Sequence, residues 1–353
     1  MTAVYVILAI LFFGVLVGIH ELGHFTAAKA CGVRVEAFAI GMGPAIFKKQ
    51  KGETEYSLRV IPFGGYCAMT GEDGDSEDPR AFVNQAAWKR LIILAAGSFM
   101  NFLLGFLIVL ILYSGAEGFR PPVISEFMEG CPYESAEGLQ AGDRVWSIDG
   151  RRVLEYGDVS DFLSRGDGVY DIVVIRDGKR VKLTDFRLER LDYPGYPQKM
   201  YGFIFNGYDE PTPLNVLRYS WSTTRQFVRM VWMGLSQLIH GQVGVQDLAG
   251  PVGIVDMMAE TGEQAETTSD ALFSIFYFGA FIAVNLAVMN MLPIPALDGG
   301  RVFFLLATWL IETVARRKVN PKYESIIHAA GMVLLLALMA YVMLHDIVRL
   351  IGK

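Results

Sequence analysis

The chain has 353 residues, 52% of them hydrophobic and only 19% charged, with a formal net charge of −6. That balance excludes an ordinary soluble protein of this length, and the acidic excess argues against nucleic acid as a partner. Three scattered cysteines, Cys31, Cys67 and Cys131, make no CxxC pair and no disulfide framework, and read as small buried apolar residues.

From Thr2 to about Ala28 runs a first apolar segment, long enough for the roughly 20 residues that a bilayer crossing takes. It has no basic leader region and no small-residue cleavage site, so it reads as a retained span rather than a secretory signal. Within it stands His20-Glu21-Leu22-Gly23-His24. Two imidazoles four residues apart project from one helix face, with the Glu21 carboxylate within reach of whatever they hold. The pattern suits Zn²⁺ with a water that a carboxylate can deprotonate. A rise of 1.5 Å per residue puts His20 roughly 25 Å into a core about 30 Å thick, close to the far face. Ionisable groups at such a depth are costly unless they are used.

Next in the chain, Lys29, Arg34, Lys48, Lys49, Lys51, Arg59, Lys89 and Arg90 crowd the segment before a second, uncharged span, Leu91 to Ala116. A third span runs from Ala271 to Leu292 and stops at Pro293 and Pro295; a fourth covers roughly Ile326 to Leu344. Between these two, Val302 to Ile311 is a shorter apolar stretch that reads as a partly buried helix, followed by Arg316, Arg317, Lys318 and Lys322. The positive-inside rule places both basic segments in the cytoplasm and both termini outside.

The long connection from about Glu117 to Asp270 is then extracytoplasmic. From Pro122 to about Gly207 it alternates short β-rich runs with turns, and Asp149-Gly150 and Asp177-Gly178 are strong hairpin signals. About 85 residues of this kind suit a small barrel or sandwich. After it, Leu214, Leu217, Trp221, Val228, Trp232, Leu235 and Ile239 recur at helical spacing, with Arg218, Arg225 and Arg229 on another face. The period fits either a helix lying in the membrane interface or one capping the soluble domain. The expected fold is thus a polytopic α-helical membrane protein with four transmembrane helices and an inserted extracytoplasmic β-rich domain. Its parts are 1–116 (two spans and a cytoplasmic β-element), 117–207 (the inserted domain), 208–270 (an amphipathic interfacial segment) and 271–353 (the last two spans).

A catalytic zinc ordinarily has three protein ligands and one open position. Asp298, just past the end of the third span in Leu292-Pro293-Ile294-Pro295-Ala296-Leu297-Asp298-Gly299-Gly300, arrives from topology alone at the depth of His20 and His24. The prolines break the helix and free backbone groups, which membranes tolerate where protein or a water-filled cavity satisfies them. Gly299 and Gly300 permit close backbone approach. Asp298 also fits as the N-cap of the following helix, and His328, which begins the fourth span, is a competing third ligand.

These motifs together closely resemble the site-2 protease family of intramembrane zinc metalloproteases, in its bacterial branch with an extracytoplasmic PDZ domain. Arg59-Val60-Ile61-Pro62-Phe63-Gly64-Gly65-Tyr66 resembles the family's membrane-associated β-element, and Ala95-Ala96-Gly97-Ser98-Phe99-Met100-Asn101-Phe102 its second-span motif, with Ser98 where proline is usual. Gly138-Leu139-Gln140-Ala141-Gly142-Asp143 resembles a bacterial PDZ domain, and Leu248-Ala249-Gly250-Pro251-Val252-Gly253-Ile254 the segment before the third span. The resemblance implies that His20, His24 and Asp298 hold zinc and that Glu21 is the catalytic acid/base. It also implies that Asn290, and secondarily Asn285, contact substrate, beside a strand carrying Gly64 and Gly65. The implied substrates are single-span membrane proteins such as anti-sigma factors or signal-peptide remnants. A peptide ligand for the PDZ-like domain and a multi-pass place in a bacterial cell membrane follow from the same likeness. The rival expectations are a membrane metal carrier and a non-proteolytic PDZ-based receptor.

Overall fold

Thirty residues without a proline build the first helix, α1 (Thr2–Cys31), and its outer stripe Val4, Ile7, Leu11 and Val15 is exposed apolar surface at helical spacing. Such a stripe on a helix of this length is what lipid covers. The computed structural model describes residues 2–72, 74–244, 249–315 and 321–351. Leu248 and the basic trio Arg316, Arg317 and Lys318, which entered the sequence reading, lie outside the described residues.

Three further helices match the expected spans: α2 (Ala87–Ser114), α6 (Thr268–Asn290) and α8 (Pro321–Ile351). Together with α1 they make, among the described residues, four helices long and apolar enough to cross a membrane. The short apolar stretch after the third span is α7 (Asp298–Ala315), which buries Leu305 and exposes Phe303, Leu306 and Trp309.

The chain divides into two units, residues 1–109 with 224–353 and residues 110–223. In the first unit, α1 is followed by two long strands, β1 (Val35–Lys51) and β2 (Thr54–Met69). Their register is unusual, because residues 37–40 pair twice, with 65–68 on one side and with 55–58 on the other. Both strands therefore double back instead of forming one straight hairpin. The sheet lies against α1: a Cβ on Gly14 would stand 3.2 Å from the Pro62 carbonyl oxygen, and one on Gly18 would stand 3.5 Å from Ile40. Non-helical backbone beside a spanning helix is acceptable because these ladders satisfy its polar groups. At the tip, Glu53 accepts from Lys29 at 2.7 Å and from both terminal nitrogens of Arg80, at 2.7 and 2.9 Å. These cations hold the Glu53 carboxyl down to about 2. The tie is therefore intact at neutral pH and is lost as pH falls from the ordinary carboxylate range toward that value.

The second unit contains β3 (Glu126–Phe127), β4 (Arg144–Ile148), β5 (Arg151–Arg152), α3 (Tyr156–Leu163), β6 (Val169–Arg176), β7 (Lys179–Arg187) and β8 (Phe203–Ile204). Strands β5-β4-β6-β7 form one antiparallel sheet, and β3 pairs with β8. Both expected hairpins are present. Asp149 and Gly150 have φ of 49° and 72°, and Asp177 and Gly178 have 49° and 75°, the left-handed pair that a type I′ turn requires. Ile124, Leu139, Ile148, Val159, Phe162, Tyr170 and Ile172 fill the core between the sheet and α3.

Beneath this core, Asp143 is fully buried and accepts two hydrogen bonds from Arg176, each at 2.7 Å, and one from the Gln140 amide at 2.9 Å. Asp143→Ala removes three hydrogen bonds to a buried carboxylate and leaves the partly buried Arg176 without its counter-ion, so it is expected to destabilise this unit by about 2 kcal/mol. Hydrogen exchange of the β4 and β6 amides in the full chain checks this.

Two helices precede the third span in the chain, the first of them beginning within the second unit. α4 (Pro213–Ile239) carries Leu214, Leu217, Trp221, Trp232 and Ile239 exposed, while Val216 and Tyr219 pack with Phe119. α5 (Pro251–Glu263), not foreseen as a helix, opens with Gly250 as N-cap and Pro251 in its first turn. Asp346 of α8 completes that cap, accepting from Gly250 N at 3.0 Å and Gly253 N at 2.9 Å.

Candidate metal centre

His20 and His24 face the same side of α1, as their four-residue spacing dictates, and both are buried. Asp298 opens α7, and its Oδ2 lies 3.2 Å from Nε2 of each histidine; the two Nε2 atoms are themselves 3.2 Å apart. Among the described residues these three form the one group of His, Cys, Asp and Glu side chains with metal-ligand spacing. Asp298 is the first residue of α7 rather than its N-cap, and its carboxylate meets both histidines.

The surroundings determine which ring nitrogens face the centre. His24 Nδ1 lies 2.8 Å from the carbonyl oxygen of Ile93, which can only accept, so Nδ1 carries the proton. In the neutral ring Nε2 then keeps its lone pair, and it faces His20 and the Asp298 carboxylate. With the Nε2 protons removed, the three atoms turn lone pairs toward one centre, the donor set that a cation takes. A tetrahedral zinc with ligands at 2.0–2.1 Å has edges of about 3.3 Å, close to the observed triangle. The donor set fits Zn²⁺.

Helix α2 supplies the floor. Ile93, Gly97 and Asn101 follow one another at four-residue intervals on the face that meets the histidines. A Cβ on Gly97 would stand 2.4 Å from His24 Nε2 and 2.8 Å from His20 Cε1. Gly23 allows this close approach of α1 to α2, since a Cβ there would lie 2.4 Å from the Ala96 carbonyl oxygen. Asn101 is fully buried, with Nδ2 3.4 Å from His20 Nδ1 and Oδ1 unpaired. Rotating the amide by 180° exchanges its O and N, which leaves Oδ1 accepting from His20 Nδ1. Each histidine then donates its Nδ1 proton to α2 and keeps Nε2 for metal. Asn101→Leu is expected to weaken zinc binding by about 10-fold or more, measured by chelator competition.

The remaining candidates fall into place unevenly. Asn290, at the end of α6, has Nδ2 3.4 Å from His20 Nε2 and so reaches the centre. No hydrogen bond among the described residues joins Asn285, five positions earlier, to these groups. Glu21 sits in the electrostatic field of His20, His24 and Asp298. A Cβ on Gly65 would stand 3.0 Å from Glu21 Cγ and 2.9 Å from the Ala39 carbonyl oxygen, so β2 passes directly beside the carboxylate. Gly64 has φ 90° and packs on Met42. His328 is not part of the centre: its Nδ1 accepts from the Ala296 amide at 3.1 Å. The glycines after Asp298 behave as expected, for Cβ atoms there would lie 2.2–2.4 Å from backbone of residues 291–294.

An intramembrane metallohydrolase is the class that four apolar helices and this buried triad define. The profile of peptidase family M50 matches residues 8–338. A candidate zinc metalloprotease of Clostridium perfringens is 34% identical over 345 residues, covering 98% of each chain. One of Clostridium acetobutylicum is 36% identical over 349 residues, covering 97% of each. The regulator of sigma-W protease RasP from Bacillus subtilis is 29% identical over 431 residues, again 98% of each. The chain belongs to peptidase family M50: it is a zinc metalloprotease of the site-2 protease type, a multi-pass bacterial membrane protein that acts in regulated intramembrane proteolysis.

Proposed function

We propose that His20, His24 and Asp298 are the three protein ligands of the zinc and that Glu21 is the acid/base of peptide hydrolysis. The observation that carries this reading is the triangle of Nε2, Nε2 and Oδ2 atoms at 3.2 Å, with Glu21 next to His20 in the chain. Zinc bound there supplies Lewis-acid polarisation of the scissile carbonyl and acidifies a water. Glu21 takes the proton from the attacking water and returns it to the leaving amine. Asn290, reaching toward His20, donates its side-chain amide to the oxygen on which negative charge develops. Loss of stoichiometric zinc in Asp298→Ala, by elemental analysis of the purified chain, tests the ligand set; full retention contradicts it.

The substrate is a single-span membrane protein whose helix unwinds at the site, because a helical peptide bond keeps its carbonyl within the helix. In the β1–β2 register, 65–69 pairs on one side only, with 35–40, which supports addition of a substrate strand along Gly64 and Gly65. Gly65→Val fills the space beside Glu21 and is expected to cut turnover about 100-fold with zinc retained. Equal turnover of a single-span reporter by both proteins would remove the strand-addition step.

Residues 117–207 act as a PDZ-like domain on the extracytoplasmic side, admitting shortened substrates or binding a peptide. The exposed apolar stripe of α4 supports its lying in the interface. With basic segments on the cytoplasmic side, the zinc site lies toward the cytoplasm. By likeness to the sigma-W regulator, anti-sigma factors are the first substrates to test, and signal-peptide remnants the second.

A further inference from the structure

A histidine in a membrane-spanning helix that binds no metal calls for another use. His328, in α8, puts its imidazole against backbone: the Ala296 amide donates to Nδ1 at 3.1 Å. Ala296 has φ 77°, a left-handed conformation that a residue with a Cβ holds only when its surroundings impose it. One turn further along α8, Gly331 receives the neighbouring Pro295; a Cβ there would lie 2.4 Å from Pro295 Cβ and 3.0 Å from its carbonyl carbon. The other side of the imidazole is fixed by Phe304 of α7, edge to face at a centroid distance of 5.2 Å. Asp298 comes two residues after Ala296, and its Oδ2 reaches both histidines at 3.2 Å.

We infer that His328 and Gly331 form a latch by which the fourth span holds the strained Pro295-Ala296 turn and thereby aims Asp298 at the metal. His328 is then a positioning residue and not a ligand. The inference rests on Asp298 as zinc ligand. An acceptor at Nδ1 requires the neutral Nε2–H tautomer, so the imidazole is matched to an amide donor rather than to a cation.

The test uses the full chain in detergent, with zinc affinity from chelator competition and the d–d absorption of the Co²⁺-loaded protein as a report on the ligand set. His328→Leu removes the acceptor, whereas His328→Asn keeps an oxygen near the position of Nδ1. His328→Leu is expected to raise the zinc dissociation constant about 10- to 100-fold and change the Co²⁺ spectrum, and His328→Asn to recover most of the affinity. Wild-type affinity and spectrum in His328→Leu would overturn the latch. Should that variant fail to fold, Gly331→Ala, which pushes on Pro295 without touching His328, is expected to weaken zinc binding in the same direction; unchanged affinity there overturns it equally. Asp298→Ala separates this result from failure of the ligand set. Loss of zinc in Asp298→Ala with full retention in His328→Leu removes the latch alone. Retention in Asp298→Ala with loss in His328→Leu makes His328 the ligand and removes both readings.

Discussion

Glu21→Gln retains one zinc per chain and loses cleavage by about 10³-fold or more. The expectation follows from position. Glu21 is adjacent to His20, yet its carboxylate is not one of the three clustered donor atoms, so an isosteric amide leaves the metal site whole. What the amide cannot do is accept a proton from water and pass it on to the leaving amine. Every other contact is preserved: Gly65 still borders the side chain at Cγ, and α1 keeps its packing on β2. Elemental analysis paired with cleavage of a reconstituted single-span reporter reads both halves. Zinc loss in this variant would place Glu21 among the ligands instead.

Gly97→Val is expected to weaken metal binding about 100-fold or more while the protein still folds. The added Cβ would fall 2.4 Å from His24 Nε2, the atom that faces the other two donors, where the Gly23–Ala96 approach brings α1 and α2 together. The imidazoles must turn, and an ångström of displacement is enough to lose the coordination geometry; an affinity loss of about 100-fold or more is the expected size. Gly105→Ala makes the matched control. It lies two turns along the same helix, where a Cβ would stand 2.7 Å from Val284 Cγ2, so it disturbs packing between α2 and α6 without approaching the histidines. Thermal stability falls in the control and zinc affinity holds; in Gly97→Val zinc affinity falls. Equal zinc affinity in the two variants would show that α2 is not the floor of the site.

How much of this was legible in the residues depended on period and spacing. Four spans, the His20/His24 pair and the arrival of Asp298 at their depth all follow from length and spacing, because a hydrophobic run and a helical repeat are local signals. Both type I′ hairpins were readable for the same reason, Asp-Gly being a two-residue instruction. The doubled register of β1 and β2 was not, since Ala37 to Ile40 pair with segments nearly 20 and 30 residues away and no alternation marks that choice. The α2 floor went unassigned although its spacing, Ile93, Gly97 and Asn101, was visible. A glycine and an asparagine inside an apolar span carry no role until the partner helix is known. An intramembrane histidine suggests metal first, which makes His328 a candidate ligand on sequence alone. Only the placement of Ala296, with its left-handed backbone, shows that this imidazole serves an amide.

Hydrolysis at the His20–His24–Asp298 zinc site is expected to fall within the membrane-spanning segment of the substrate. Mass-spectrometric mapping of the products tests it most directly, with a single-span substrate and the zinc-loaded protein in one liposome. The expected result is one new terminus inside the apolar segment, present with wild type and absent with Glu21→Gln or after chelation. Cleavage confined to the aqueous flanks, or the same products from Glu21→Gln, would contradict the account.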